Sequence, residues 1–377
     1  MDRRAFLRAS LGSASALAVV SVLGPAAFAS DTSGPAAGTE PLVFSAVDDA
    51  QGRHFIAAIS PDGHITFRLP VPERGHGGCR RPLADEVVMF SRRPGRYYQV
   101  IDFRQGAIVR QIEAERDHHF YGHGVFSPDG DLLYVTANHF PSGGGRILVY
   151  DARQAYRLLG NLELDGIGPH EIRLHPDGQT LVIALGGIRT HPDYDRLKLN
   201  IADMQPALLL IDRQTGRTVQ RHEPSHHQLS CRHLDVSKEG IVIAGYQFEG
   251  PEWEAPPLIA RLDSATAAFS EISLAEPEQA ALHNYIASIA MDPASRLVAV
   301  TAPRGNRALL LDYLSGEHIE TVEISDVAGA LAAQGKAFMF TSGLGGIYRG
   351  SANEAARIEG SDLRWDNHLT ATDLRTG

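Results

Sequence analysis

Only two cysteines, Cys79 and Cys231, occur in 377 residues. A disulfide framework therefore does not hold this chain together. Basic charge is also scarce. Lys and Arg total 35 against 45 Asp and Glu, a formal net charge of −10. A nucleic-acid backbone calls for a basic face, so that class of partner is excluded. There is no long apolar run of membrane-spanning quality and no sustained helical periodicity. Nor is there a G-x-S-x-G elbow, a phosphate-binding Walker loop, a dinucleotide fingerprint, a C-x-x-C-H haem site or an H-E-x-x-H pair. No cofactor-binding motif is present, and the familiar catalytic motifs are missing.

Glycine (37) and proline (21) are abundant. The N-terminus reads MDRRAFLRAS, then a short apolar run rich in Ala, Ser and Gly and broken by Pro25, then Ala27-Phe28-Ala29. Paired arginines, a brief apolar core and a small-residue cleavage site point to a twin-arginine export signal over 1–29. Cleavage would leave no stable membrane span and would place the protein in the periplasm. It would remove Asp2, Arg3, Arg4 and Arg8, so the mature charge becomes 32 − 44 = −12. Residues 30–41 are small and polar, with Gly and Pro, and read as a linker.

From 42 to 377 one unit repeats. Its clearest copy runs HGVFS, PDGD, LLYVTAN, a loop NHFPSGGG, RILVYDA and LLGNLEL. That is four short strands with Pro-Asp-Gly turn chemistry, proline presetting φ and glycine accepting positive φ. Four strands per unit at roughly 40–50 residues is the pattern of propeller blades. The first unit lacks an opening strand, and HLTATDL (368–374) supplies one. The chain is expected to be an all-β, seven-bladed β-propeller of WD40-like type. Its C-terminal strand would complete the N-terminal blade, which removes exposed sheet edges.

A histidine returns at the opening of most units. His76, His123 and His170 are spaced 47 residues apart. His233 follows after 63, the excess falling in an insert, GGIRTHPDYDRLKLNIADM. His368 opens the closing strand, and His283-Asn284 precedes the sixth unit. Innermost strands line the axial channel, so these imidazoles would meet at one mouth. Two readings stand. Each histidine can be a structural hydrogen-bonding group between blades. Together, His76, His123, His170, His233 and His368 can be a ligand ring for iron, copper or zinc. Glu171 and Asp366 are carboxylates that would join or orient it. Arg74, Arg80, Arg81, Arg232 and Arg364 crowd the same openings. They either pair with acids or offer a cationic mouth to an anion. His283, Asn284, Arg74 and Arg232 are candidate substrate contacts. Cys79 and Cys231 read as small buried residues on blades across the ring. The loops joining second to third strands are long and share one face, where binding usually sits.

The stretches DRRAFL, RGHGGCRRP, YGHGVFSPDG, GPHEIRLHPDG, SCRHLDVS and DNHLT carry a resemblance over nearly all the mature chain. It resembles a family of exported bacterial propellers known as domain of unknown function 1513. That resemblance implies a periplasmic role near imelysin-type and dihaem-peroxidase-like proteins of iron-uptake clusters, but it assigns no site residue. GPHEIRLHPDG alone is similar to a segment of lactonase-type propellers, which would make His170, Glu171 and Arg232 a hydrolytic site. The expected function is thus a metal-binding accessory to iron acquisition, with no catalytic residue assigned. A scaffold that docks iron-handling partners and a lactonase-type hydrolase are the alternatives.

Overall fold

The computed structural model of this chain describes residues 40–373, apart from 94, 195, 196, 336, 352 and 353. The export signal, most of the linker and Leu374 lie outside the described residues. What is described is almost wholly strand and turn, arranged as seven antiparallel sheets in a ring. The chain is a seven-bladed β-propeller.

The innermost strands of blades 2 to 7 are Gly75–Arg80, His118–Phe126, Pro169–Leu174, Leu229–Val236, Ser288–Asp292 and Val327–Ala333. Each blade then meanders outward through three more strands. Second and third strands such as Thr180–Leu185 and Ala207–Asp212 are nearly continuous apolar runs, because neighbouring blades cover both of their faces. Phe90, Tyr98, Phe126, Val135 and Leu148 form one such layer between blades 2 and 3. Each fully buried Leu, Val or Phe in these layers contributes roughly 1.5–3 kcal/mol. The outermost strand Arg157–Glu163 alternates exposed and half-buried positions and carries charge at its edge.

The third strands of blades 2 to 6 end in Asp102, Asp151, Asp212, Asp263 and Asp312. Each accepts hydrogen bonds from the amides two and three residues on. That Asx geometry closes the outer hairpin of each blade.

Closure follows the expected route in a broken form. Blade 1 is built from Val43–Asp48, His54–Ile59 and Ile65–Val71. Two short segments, Arg364–Trp365 and Thr370–Ala371, pair antiparallel with its first strand. Expectation had a continuous strand from His368. The chain instead leaves the ladder between them, held by Asp366 N donating to Ala46 O (3.0 Å) and Ser45 Oγ donating to His368 O (2.8 Å). The interruption turns Asp366 and His368 towards the axis. Ala330 of blade 7 bridges to His368 and seals the ring.

Candidate metal centre

The histidines reach the axis because their strands are bulged. Pairing between first and second strands slips between Gly75 and Gly78, Phe120 and Gly124, Pro169 and Glu171, and Cys231 and His233. A bulge places extra residues on one strand and re-aims a side chain. His76, His123, His170 and His233 all sit in or at these slips.

Glycine makes the approach possible. Gly122 has φ +98°, and a Cβ there would lie 2.6 Å from His76 Cδ2. A Cβ on Gly77 would lie 2.8 Å from His123 Nδ1. The Gly-His-Gly signature of blades 2 and 3 thus lets two imidazoles touch.

The five imidazoles converge, each between 1% and 8% exposed. His123 lies 4.5 Å from His368 and 4.9 Å from His76 by ring centroids, with the rings edge to face. His170 lies 4.9 Å from His233, and His233 5.1 Å from His368. Two triads bring one donor atom each to within 4.8 Å of one another: His76 with His123 and His368, and Glu171 with His233 and His368. Tetrahedral nitrogens on zinc stand ~3.4 Å apart at bond lengths of ~2.1 Å, so an ion would draw these rings slightly inward.

Two carboxylates hold the rings. Asp366 accepts from His76 Nδ1 at 2.6 Å and from Arg92 and Arg74 at 3.1 and 3.2 Å. Glu171 bonds His233 Nδ1 at 3.1 Å and Arg173 at 2.7 Å, and accepts from Leu234 N at 3.2 Å. Fixing Nδ1 in this way turns Nε2 inward, as outer carboxylates do around metal-bound histidines. His123 Nε2, His170 Nδ1, His233 Nε2 and His368 Nε2 make no hydrogen bond to any described residue. Burial drives the acidity: the pKa values of His123, His170, His233 and His368 are pushed well below the ordinary imidazole range, with mutual repulsion adding to it. His76 is lowered less, because Asp366 opposes burial. Burial would raise the pKa of Asp366, but His76 and Arg92 hold it well below the usual carboxylate range. The cluster is thus neutral imidazole backed by carboxylate, the protonation state a metal requires.

Other sequence-selected residues are placed differently. His283 and Asn284 do not join the cluster. They occupy left-handed positions of a turn, His283 exposed and Asn284 donating to Glu254 O. Arg74, Arg232 and Arg364 line the mouth, but Arg80 and Arg81 do not. They stand at the far end of the strand opening at Gly75, where Arg81 pairs with Glu86 at 2.8 Å and Arg80 lies over Phe103. Cys79 and Cys231 are free thiols outside both triads, with burial raising their pKa. Sequence reasoning missed Arg92, Arg93, Arg173 and Arg304. The only hint was the arginine-rich loop SRRPGR. Above the histidines opens a cavity of about 780 Å³, walled by strand openings and by second-to-third-strand loops, Lys198 of the blade 4 insert among them. Among the described residues no helix is long and apolar enough to cross a membrane.

Residues 69–372 match the model of a family described as a protein of unknown function, DUF1513. Comparison with curated proteins returned no match. Among solved structures, a chain of Kuenenia stuttgartiensis hydrazine synthase aligns over 88% of this chain and 99% of its own, with a TM-score of 0.61 and 16% identity. At that identity the likeness is one of fold alone.

Proposed function

The chain belongs to the DUF1513 family, and for this member we propose that the axial histidines bind a transition metal in the service of iron acquisition. One observation carries the reading. Four ring nitrogens from four blades are buried together without a hydrogen bond to any described residue. A purely structural histidine between blades would have spent those nitrogens on its neighbours. Imidazole with carboxylate support suits iron, copper and zinc. Both oxygens of Glu171 are already engaged, so its part is to orient His233 rather than to abstract a proton from a lactone. In this reading the protein acts in the periplasm after twin-arginine export, beside imelysin-type or peroxidase-like partners. The family resemblance supports that setting.

The test is elemental analysis of protein purified from its native compartment, followed by titration of metal-free protein with iron, copper and zinc. We expect roughly one ion per chain at micromolar concentration or below. No metal in the native protein, with no binding in the titration, would sink the reading.

A further inference from the structure

We propose that the cavity above the histidines is a binding site for a small polyvalent oxyanion, a carboxylate or a phosphate. This goes beyond the metal centre: His76, His170 and His233 form part of the cavity lining, but the proposed anion contacts are the arginines, and the site stands or falls by their charge.

The cavity's volume, about 780 Å³, lies in the range of small-molecule sites. Arg74, Arg92, Arg93, Arg232, Arg304 and Arg364 line it, joined by Lys198, and Asp326 is the one acidic residue among the described residues of the lining. So strong a local excess of cations stands out on a chain whose net charge is −10. Part of it is answered from behind the wall. Arg74 and Arg92 reach Asp366, Arg74 also reaches Asp48, and Lys198 pairs with Glu249. Among the described residues no carboxylate lies within ion-pair distance of Arg93, Arg304 or Arg364.

Arg93 separates this wall from an ordinary solvated basic surface. It is 9% exposed, and its Nη1 makes no hydrogen bond to any described residue. Burial first, and then repulsion from Arg232, lower its guanidinium pKa to about 10. A buried cation without a counter-charge is strongly unfavourable. An anion in the cavity would supply the missing partner. Asp326 does not fill that role: although it lines the cavity, it makes no ion pair with Arg93 among the described residues. Arg304 lies over the Tyr285 ring at 4.4 Å, a stacking that leaves the edge of its fork available. The planar fork of arginine matches carboxylate and phosphate bidentately. Tyr121 and Gln247, also in the lining, add neutral hydrogen-bonding groups.

The experiment uses metal-free protein, cleared of chelator by gel filtration. Citrate and inorganic phosphate are titrated separately by calorimetry at ~150 mM salt. We expect at least one of them to bind with a Kd below ~1 mM, and the tighter of the two identifies the oxyanion class. Arg93→Met should weaken that binding tenfold or more and abolish the ligand-induced rise in melting temperature. Arg304→Gln, at an exposed position, carries the same test should Arg93→Met not fold. Arg80→Gln, away from the cavity, should bind as the parent does. Absence of binding by both anions overturns the proposal, as does parental affinity in the folded cavity variants. Metal uptake by the same samples separates the two readings. Anion binding without metal removes only the metal centre, and metal without anion removes only this site.

Discussion

Blades 5 and 6 are neighbours with the same four-stranded meander, yet only blade 5 sends a histidine to the axis. Its first strand slips against the second between Cys231 and His233. In blade 6, Ser288–Asp292 pairs with Leu297–Thr301 in unbroken register. Blade 7 slips as well, between Val327 and Ala330, but carries small residues there. A Cβ on Gly329 would lie 2.6 Å from Thr341 Oγ1. The slip therefore aims a residue inward, and residue type decides what is aimed. Blades 1 to 5 make a chemical arc, and blades 6 and 7 leave room beside it.

The largest expected effect lies beneath the arc. Asp366 is fully buried and answers His76, Arg74 and Arg92. Asp366→Ala should cost ~3–5 kcal/mol, because breaking a buried charge network strands its partners. Asp292 of blade 6 caps only its own turn, through Ala294 N and Ser295 Oγ. Asp292→Ala should cost ~1 kcal/mol, the scale of a lost capping bond. Urea midpoints compare the two, and equal losses would erase the distinction between the blades.

His233→Ala should come next. It removes a donor while Glu171 keeps Arg173 and Leu234 N. Metal affinity should fall ~100-fold, about 2.7 kcal/mol, which is the scale of losing a supported ligand. Ser288→Ala should leave affinity unchanged. Competition titration against a chromophoric chelator reads both.

Acid should act on the arc, and with it on His118, His119 and His222, whose pKa values burial also lowers. The five axial histidines have folded pKa values below the ordinary 6.5. In mildly acidic solution the unfolded chain therefore binds more protons than the folded one. Their contribution to the metal-free fold is complete above about pH 6.5 and is lost progressively as pH falls below it. Asp366 stays charged through that window. Urea midpoints from pH 8 to pH 5 should fall only on the acid side, and His123→Gln should flatten the slope. A level profile down to pH 5 would show that the rings are not buried as neutral groups.

Glycine gives a smaller effect with a sharper control. Gly122→Ala meets both a left-handed φ and the His76 ring, and should cost ~1–3 kcal/mol, the range for strain combined with overpacking. It should weaken metal binding too. Gly52→Ala, at φ +74° with open space around it, should cost only ~1 kcal/mol and leave metal alone. Equal losses would mean that the contact with His76 carries no weight.

Much of this was legible in the sequence. Pro-Asp-Gly turns and four short apolar runs per unit report the blade count, because turn chemistry is local. The 47-residue spacing of His76, His123 and His170 reports a shared place in each unit. Bulges leave little composition behind. Their trace was the glycines of RGHGGC. Arg92 was not legible because its partner, Asp366, lies 274 residues away and meets it only on ring closure. Arg80 and Arg81 were misplaced because blade 2 starts at Gly75, so a strand's length separates them from the mouth. Roughly 3.3 Å per residue is enough to move a charge from one face of a propeller towards the other.

The smallest effect tests the boundary of the arc. His283 was drawn into the set by its position ahead of blade 6. It lies on a left-handed turn with φ +49° and is exposed. The strand that follows has no slip to turn a residue inward, and among the described residues His283 makes none of the ring contacts that tie His170 to His76, His123 and His233. His283→Ala should change stability by no more than ~0.5 kcal/mol, as exposed substitutions do. Metal affinity should match the parent. The comparison is strict, because His283 and His233 are both histidines near the start of neighbouring blades. They differ in burial and in the bulge. If His283→Ala weakened metal binding as His233→Ala does, the turn would have to swing inward on loading, and register would no longer decide which blades belong to the centre.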